Sequence, residues 1–202
     1  MHPTLLATMS RLSTSDSRTL RIAERAGAVA FVTALTAVAA QISMPLPFTP
    51  VPLTFQAMVV LVGGALLGSR LGMMSQLLYL GLGLAGLPVF AASPTLAQGA
   101  ARLLGPTGGY LMAYPIAAFV TGFLAERGFD RRYFTSVVAM TCGLAVIFTG
   151  GVLWLARFVE PTGALASALA AGFYPFVIED FVKLLVAAGV MPSLWWLTGR
   201  RV

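Results

Sequence analysis

Long apolar runs, broken by short polar or proline-rich stretches, set the pattern of this chain. The runs are continuous instead of alternating every second residue, and most are apolar around the whole helical circumference. A helix that is apolar on all sides belongs in lipid or in a large core, and runs near 20 residues match the hydrocarbon thickness of a bilayer. Six spans are predicted: about Leu20 to Ser43, Thr54 to Leu67, Leu71 to Gly86, Tyr110 to Ala125, Phe134 to Leu155 and Phe173 to Leu197. Residues 1–19 form a polar N-terminal segment, expected to be mobile on the membrane surface. Residues 20–199 make a single six-helix transmembrane domain. A transmembrane β-barrel is excluded, since it needs alternating segments of roughly ten residues.

The breaks are as informative as the runs. Met44-Pro-Leu-Pro-Phe-Thr-Pro-Val-Pro-Leu-Thr54 holds four prolines and cannot be helix interior, because each proline removes a backbone donor. This stiff yet apolar loop suits either a lid over a cavity or a segment lying flat in the membrane interface. Gly68-Ser-Arg-Leu-Gly72 reads as a tight turn. Residues 87–106 form a long loop with room for a short surface helix. Thr107, ahead of the fourth run, is placed to cap the free amides of a helix start. The first run carries small residues at a spacing of four, Ala26, Ala30 and Ala34, with Ala37 and Ala40 near the same face. Such a stripe permits close helix approach in lipid, either inside the bundle or against a partner subunit.

Composition agrees with this class: 58% of the 202 residues are hydrophobic and 10% charged, against roughly 25% charged in soluble domains. The net charge of +6 does not indicate nucleic acid, because the arginines cluster at the ends of apolar runs. With a cytoplasmic N-terminus, Arg11, Arg18, Arg21, Arg25, Arg70, Arg127, Arg131, Arg132, Arg200 and Arg201 fall inside and only Arg102 and Arg157 outside. The positive-inside rule therefore puts both termini in the cytoplasm.

The chemistry available is narrow. His2 is the only histidine and Cys142 the only cysteine, so disulfides, cysteine metal sites and histidine-based catalysis are all excluded within one chain. No phosphate-binding loop or metal-ligand cluster is present; no catalytic residue, metal or cofactor is assigned, and the chain is not read as an enzyme. The anomaly is Glu179-Asp180-Phe-Val-Lys183, three charges including the only lysine inside an apolar run. Charges at membrane depth are expensive and mark function. Asp180 and Lys183 share a helix face, whereas Glu179 is rotated by about 100°. An acceptor, a cation and a lid suit a small, partly apolar ligand with N–H groups at one end and a negative charge at the other. Gln56, Gln76 and Tyr79 are polar exceptions in the second and third runs. They either face this cavity or satisfy interhelical hydrogen bonds. Two other readings fit the residues: an assembly protein with no small ligand, and an ion-coupled carrier using Asp180.

Several stretches carry a resemblance. Pro50-Val-Pro-Leu-Thr-Phe-Gln56, Leu61-Val-Gly-Gly-Ala-Leu-Leu-Gly68-Ser-Arg-Leu-Gly72, Gly86-Leu-Pro-Val-Phe-Ala91, Gly105-Pro-Thr-Gly-Gly-Tyr110 and Asp180-Phe-Val-Lys183 resemble, in order and over nearly the whole chain, the BioY family. These are the biotin-specific S components of energy-coupling factor (ECF) transporters. The resemblance implies an all-α, six-helix S-component fold in a bacterial plasma membrane that captures biotin from outside. It also implies work with a transmembrane T component and a pair of ABC ATPases. Asp180 is expected at the ureido N–H groups and Lys183 at a polar end of biotin or as counter-ion, with Gln56, Tyr79 and Arg102 as further contacts. Ala26, Ala30 and Ala34 resemble the S-component docking motif. Glu179 stands where the family usually has glycine, which argues against ligand duty.

Overall fold

Backbone amides in lipid must be satisfied internally, and the apolar runs accordingly fold as helices. The computed structural model describes residues 4–6, 8, 18–93, 98–160 and 164–197. Within these, eight helices follow in order: α1 (Arg18–Gln41), α2 (Gln56–Leu67), α3 (Ser69–Leu84), α4 (Ala100–Leu104), α5 (Gly108–Ala125), α6 (Tyr133–Leu155), α7 (Leu165–Gly172) and α8 (Tyr174–Leu197). Between α1 and α2, β1 (Ser43–Met44) and β2 (Leu53–Thr54) pair antiparallel, with Ser43 opposite Thr54. The chain is all-α apart from this clasp at the base of the proline loop. By length and composition, α1, α5 and α6 are apolar enough to cross a membrane.

Helix α5 is the centre, packed by α6, α3 and α2. Its tight contacts come from glycine: a Cβ on Gly64 of α2 would lie 2.5 Å from the Ala118 carbonyl oxygen. The two backbones therefore touch, which is how helices associate without a hydrophobic driving force. The turn expected over Gly68–Gly72 contracts to one residue. Gly68, at φ 86° and ψ 175°, reverses the chain in a region essentially reserved for glycine, and α3 begins at Ser69.

Outward, the helices present large apolar side chains: Phe31, Ile116, Leu153 and Val186 are all more than half exposed. A soluble protein would bury them; a lipid-facing surface need not. At one end of the bundle, the carboxylate of Glu126 accepts hydrogen bonds from the Ser69 amide (2.8 Å) and hydroxyl (2.9 Å), joining the α2–α3 turn to the end of α5. Trp195 near the end of α8 donates to Asp130 at 2.6 Å, at the same end. Arg18, Arg21, Arg25, Arg70, Arg127, Arg131 and Arg132 gather there. At the opposite end Trp154 of α6 donates to the Gly105 carbonyl at 3.0 Å, and Gln41 donates to Phe90 at 3.2 Å. Arg102 and Arg157 lie at this second end, with the proline loop.

Two local expectations change. Thr4, Leu5 and Thr8 are buried against the bundle instead of lying loose on a surface; most of the rest of residues 1–19 lies outside the described residues. Thr107 occupies the N-cap position of α5, but at φ −86° and ψ −4° its hydroxyl makes no capping bond. A helical ψ turns the side chain away from the amides it would cap.

Candidate ligand-binding site

At the proline-loop end a cavity opens between the helices. Every element around it contributes. The proline loop supplies Val51, Pro52 and Thr54; α2 supplies Gln56; α4 supplies Arg102; α5 supplies Tyr110, Leu111 and Tyr114; α6 supplies Ile147 and Phe148; α8 supplies Phe176, Glu179 and Asp180. Thr107, just ahead of α5, completes the wall. The loop is therefore a lid, clasped by β1–β2 and pinned where the Thr49 hydroxyl donates to the Ala171 carbonyl at 2.6 Å. Tyr110 donates to the neighbouring Gly172 carbonyl at 2.7 Å, so both ties close on the C-terminal end of α7.

The charged cluster sits on the second turn of α8. Lys183 donates to Asp180 at 3.3 Å and pairs with Glu179. Its shortest tie outside α8 is across to the lid, where it donates to the Thr54 carbonyl at 2.5 Å. Lys183 thus stands behind the cavity wall, joining the last helix to the proline loop, while the two acids reach the cavity itself. Glu179 and Asp180 are successive residues, yet both line it, because the cavity spans a wide arc of α8 and lies against its first two turns. One Glu179 oxygen, Oε2, is buried without a partner.

Arg102 is 2% exposed, although α4 was expected on the surface. Its Nη2 donates to the Ala91 carbonyl, and Nη1 has no partner. Burial lowers its pKa from the ordinary value, and a guanidinium nevertheless stays charged in a protein. The Thr107 hydroxyl, also on the cavity wall, is likewise buried and unpaired. Gln56 lines the cavity and donates to the Tyr79 hydroxyl at 2.7 Å; Tyr79 in turn donates to Val89 at 3.1 Å. Tyr79 is fully buried one layer behind, edge-on to Phe90 with ring centroids 5.5 Å apart. Gln76 turns away altogether and donates to Thr36 at 3.3 Å, an interhelical bond to α1. Among the described residues no cluster of His, Cys, Asp and Glu could hold a metal ion.

The cavity is thus apolar in its middle, through Leu111, Ile147, Phe148 and Phe176. It is acidic at α8 and basic at α4. A comparison with protein families decides what this arrangement belongs to: residues 9–200 match the model described as the BioY family. The chain belongs to the BioY family. Among relatives, a protein of Pyrococcus horikoshii named probable biotin transporter BioY is 44% identical over 172 residues, covering 85% of this chain and 96% of that one. The biotin transporter BioY of Thermotoga maritima is 40% identical over 156 residues, covering 77% and 86%. A crystal structure of the S-component for biotin from an ECF-type ABC transporter superposes with a TM-score of 0.77 at 27% identity, covering 89% of this chain and 94% of that one.

In this BioY chain, sequence reasoning names Asp180, Gln56 and Arg102 as site residues, and all three reach the cavity. Lys183 and Tyr79 stand behind it. Thr107, read from the sequence as a helix cap, and Tyr110 and Tyr114 were not expected at the site, yet with Leu111 they fall at positions i, i+3, i+4 and i+7, one face at the start of α5. Tyrosines at that spacing in a transmembrane run were the available signal.

Proposed function

We propose that this chain is the biotin-binding S component of an ECF-type uptake system, a transport protein and not an enzyme. Biotin carries a ureido ring with N–H donors, an apolar ring and chain, and a terminal carboxylate. The observation that carries the reading is the set of unpaired polar atoms on opposite-charge walls of one apolar cavity: Arg102 Nη1 and Thr107 Oγ1 on one, Glu179 Oε2 beside Asp180 on the other. Buried polar groups are almost always satisfied, and these, unlike Thr8 Oγ1 and Gln76 Oε1, lie on the cavity wall, so they are the groups a ligand would pair. Asp180, with Glu179, accepts the ureido N–H groups; Arg102 and Thr107 take the carboxylate. Leu111, Ile147, Phe148 and Phe176 cover the apolar middle, and Gln56, held by Tyr79, supplies a further polar contact. Lys183 acts as counter-ion to both acids and fastens the lid.

The proposal extends to topology and partners. Residues 20–199 form one domain of six spans, with α2 and α3 as short ones. The arginine-rich end, with both termini, faces the cytoplasm of the cell whose plasma membrane holds the protein, so the cavity opens outward. An ABC ATPase pair and a transmembrane T component supply the energy this chain has no residues to supply, and the face carrying Ala26, Ala30 and Ala34 docks the T component. All three alanines are exposed, so the stripe is not spent on packing within this chain, although Ala40 beyond it is buried. Mass spectrometry of the purified protein for retained ligand tests the reading. Biotin is expected, and a chain that neither retains nor binds it would overturn the proposal.

A further inference from the structure

A second cleft lies on the outer surface of α5 and α6, away from the ligand cavity. Its lining includes Gly109, Met112, Ala113 and Ile116 of α5 and Val146, Thr149, Gly150 and Trp154 of α6. The floor is backbone: a Cβ on Gly109 would lie 2.4 Å from the Gly150 carbonyl oxygen, and one on Gly150 would lie 2.9 Å from Ala113 Cβ. With the helices in contact at small residues, the larger side chains flare to either side and leave an apolar furrow.

Two features show what the furrow takes. At its Trp154 end, the exposed Arg157 guanidinium sits 4.7 Å from the Trp154 ring centroid. The indole is itself anchored through its N–H to Gly105 at 3.0 Å. Arginine beside tryptophan at the end of a spanning helix marks the depth of lipid headgroups. Further in, Thr149 lines the furrow without an internal hydrogen bond. By contrast Thr33 and Thr36 of α1, Thr121 of α5 and Thr141 of α6 each donate to the carbonyl four residues earlier, the usual way a hydroxyl is satisfied in a transmembrane helix. An unpaired hydroxyl facing hydrocarbon is unfavourable, and Thr149 is free to donate to an acceptor from outside the chain. Thr149 lies within α6 and Arg157 just beyond its end at Leu155, so the hydroxyl stands deeper than the guanidinium, in the order of a lipid's glycerol ester and its phosphate.

We infer that the α5–α6 furrow is a binding site for one anionic phospholipid: acyl chain over Gly109, Ala113 and Gly150, ester carbonyl on Thr149, phosphate on Arg157. The site is independent of the biotin reading, since none of these residues lines the ligand cavity.

Native mass spectrometry of the full chain in detergent tests this, with dioleoyl-phosphatidylglycerol as probe and dioleoyl-phosphatidylcholine for comparison. The wild type should retain one phosphatidylglycerol in preference to phosphatidylcholine. Arg157→Gln should weaken retention about fivefold, the factor one basic residue contributes at an anionic membrane surface. Thr149→Val, nearly isosteric, should weaken it by a smaller factor, and Ala145→Phe, at an exposed position on the cleft, should abolish it. Biotin binding should be unchanged in all three, which also reports that they fold. Equal retention by the wild type and the Arg157→Gln and Thr149→Val variants would overturn the inference. So would crosslinking in membranes showing that Ala145→Phe dissolves a dimer, since a second copy of the chain would then be the occupant.

Discussion

At the residue scale, an unpaired buried atom on the cavity wall distinguishes a ligand contact from a structural one. The Thr107 hydroxyl has no partner inside the protein, so Thr107→Val should leave thermal stability unchanged or slightly raised, because removing an unsatisfied polar group is not destabilising. Biotin affinity should nevertheless fall severalfold, a split that thermal melting and equilibrium binding read separately. Lys183 behaves oppositely. Its ammonium holds two carboxylates and the Thr54 carbonyl, so Lys183→Ala leaves two acids side by side and frees the lid. Removing one partner of a buried charge pair commonly costs about 3–5 kcal/mol. These groups keep partial solvent access, so a smaller but clear drop in melting temperature is expected together with weaker binding. An unchanged melting temperature would show that the lysine fastens nothing. The sequence places the acids and the lysine on one turn, and this much was legible. What it could not convey is that a long lysine side chain reaches across to the loop, nor that the cavity is wide enough to take both Glu179 and Asp180. Both depend on how α2 and α8 approach one another, a tertiary matter that helical spacing does not encode.

At the element scale, the helices that form on the apolar runs and the proline loop were readable because apolar runs and prolines are strong local signals. Helix starts and turns were not, since they depend on single backbone angles. Gly68 is the clearest instance: one residue replaces the expected five-residue turn. Placing a side chain there forces L-residue sterics into a region that costs about 1–3 kcal/mol, and a Cβ would also meet Glu126 Oε1 at 2.6 Å. Gly68→Ala should therefore lower the melting temperature in detergent, and an unaltered value would contradict the strained turn. The short α2 makes the same point. Its 12 residues rise about 18 Å, less than the roughly 30 Å hydrocarbon core. Its polar start at Gln56 stands under the lid, where it lines the cavity.

At the scale of the whole molecule, the arrangement separates two tasks. The cavity is built from α2, α4, α5, α6, α8 and the lid, whereas the Ala26, Ala30, Ala34 face belongs to α1, which contributes no residue to the cavity wall. Ala30→Leu combined with Ala34→Leu should therefore spare biotin binding and block ATP-driven uptake in cells that carry the T component and ATPases. Normal uptake by that double variant would remove the docking role. The most direct test of the central claim is equilibrium binding of biotin to the purified chain and to Asp180→Asn. The wild type should bind, and the variant should bind about ten- to a hundredfold more weakly, as expected when a charge-assisted hydrogen bond of about 1.5–3 kcal/mol is lost. Equal affinity in both proteins, or none in the wild type, would contradict it.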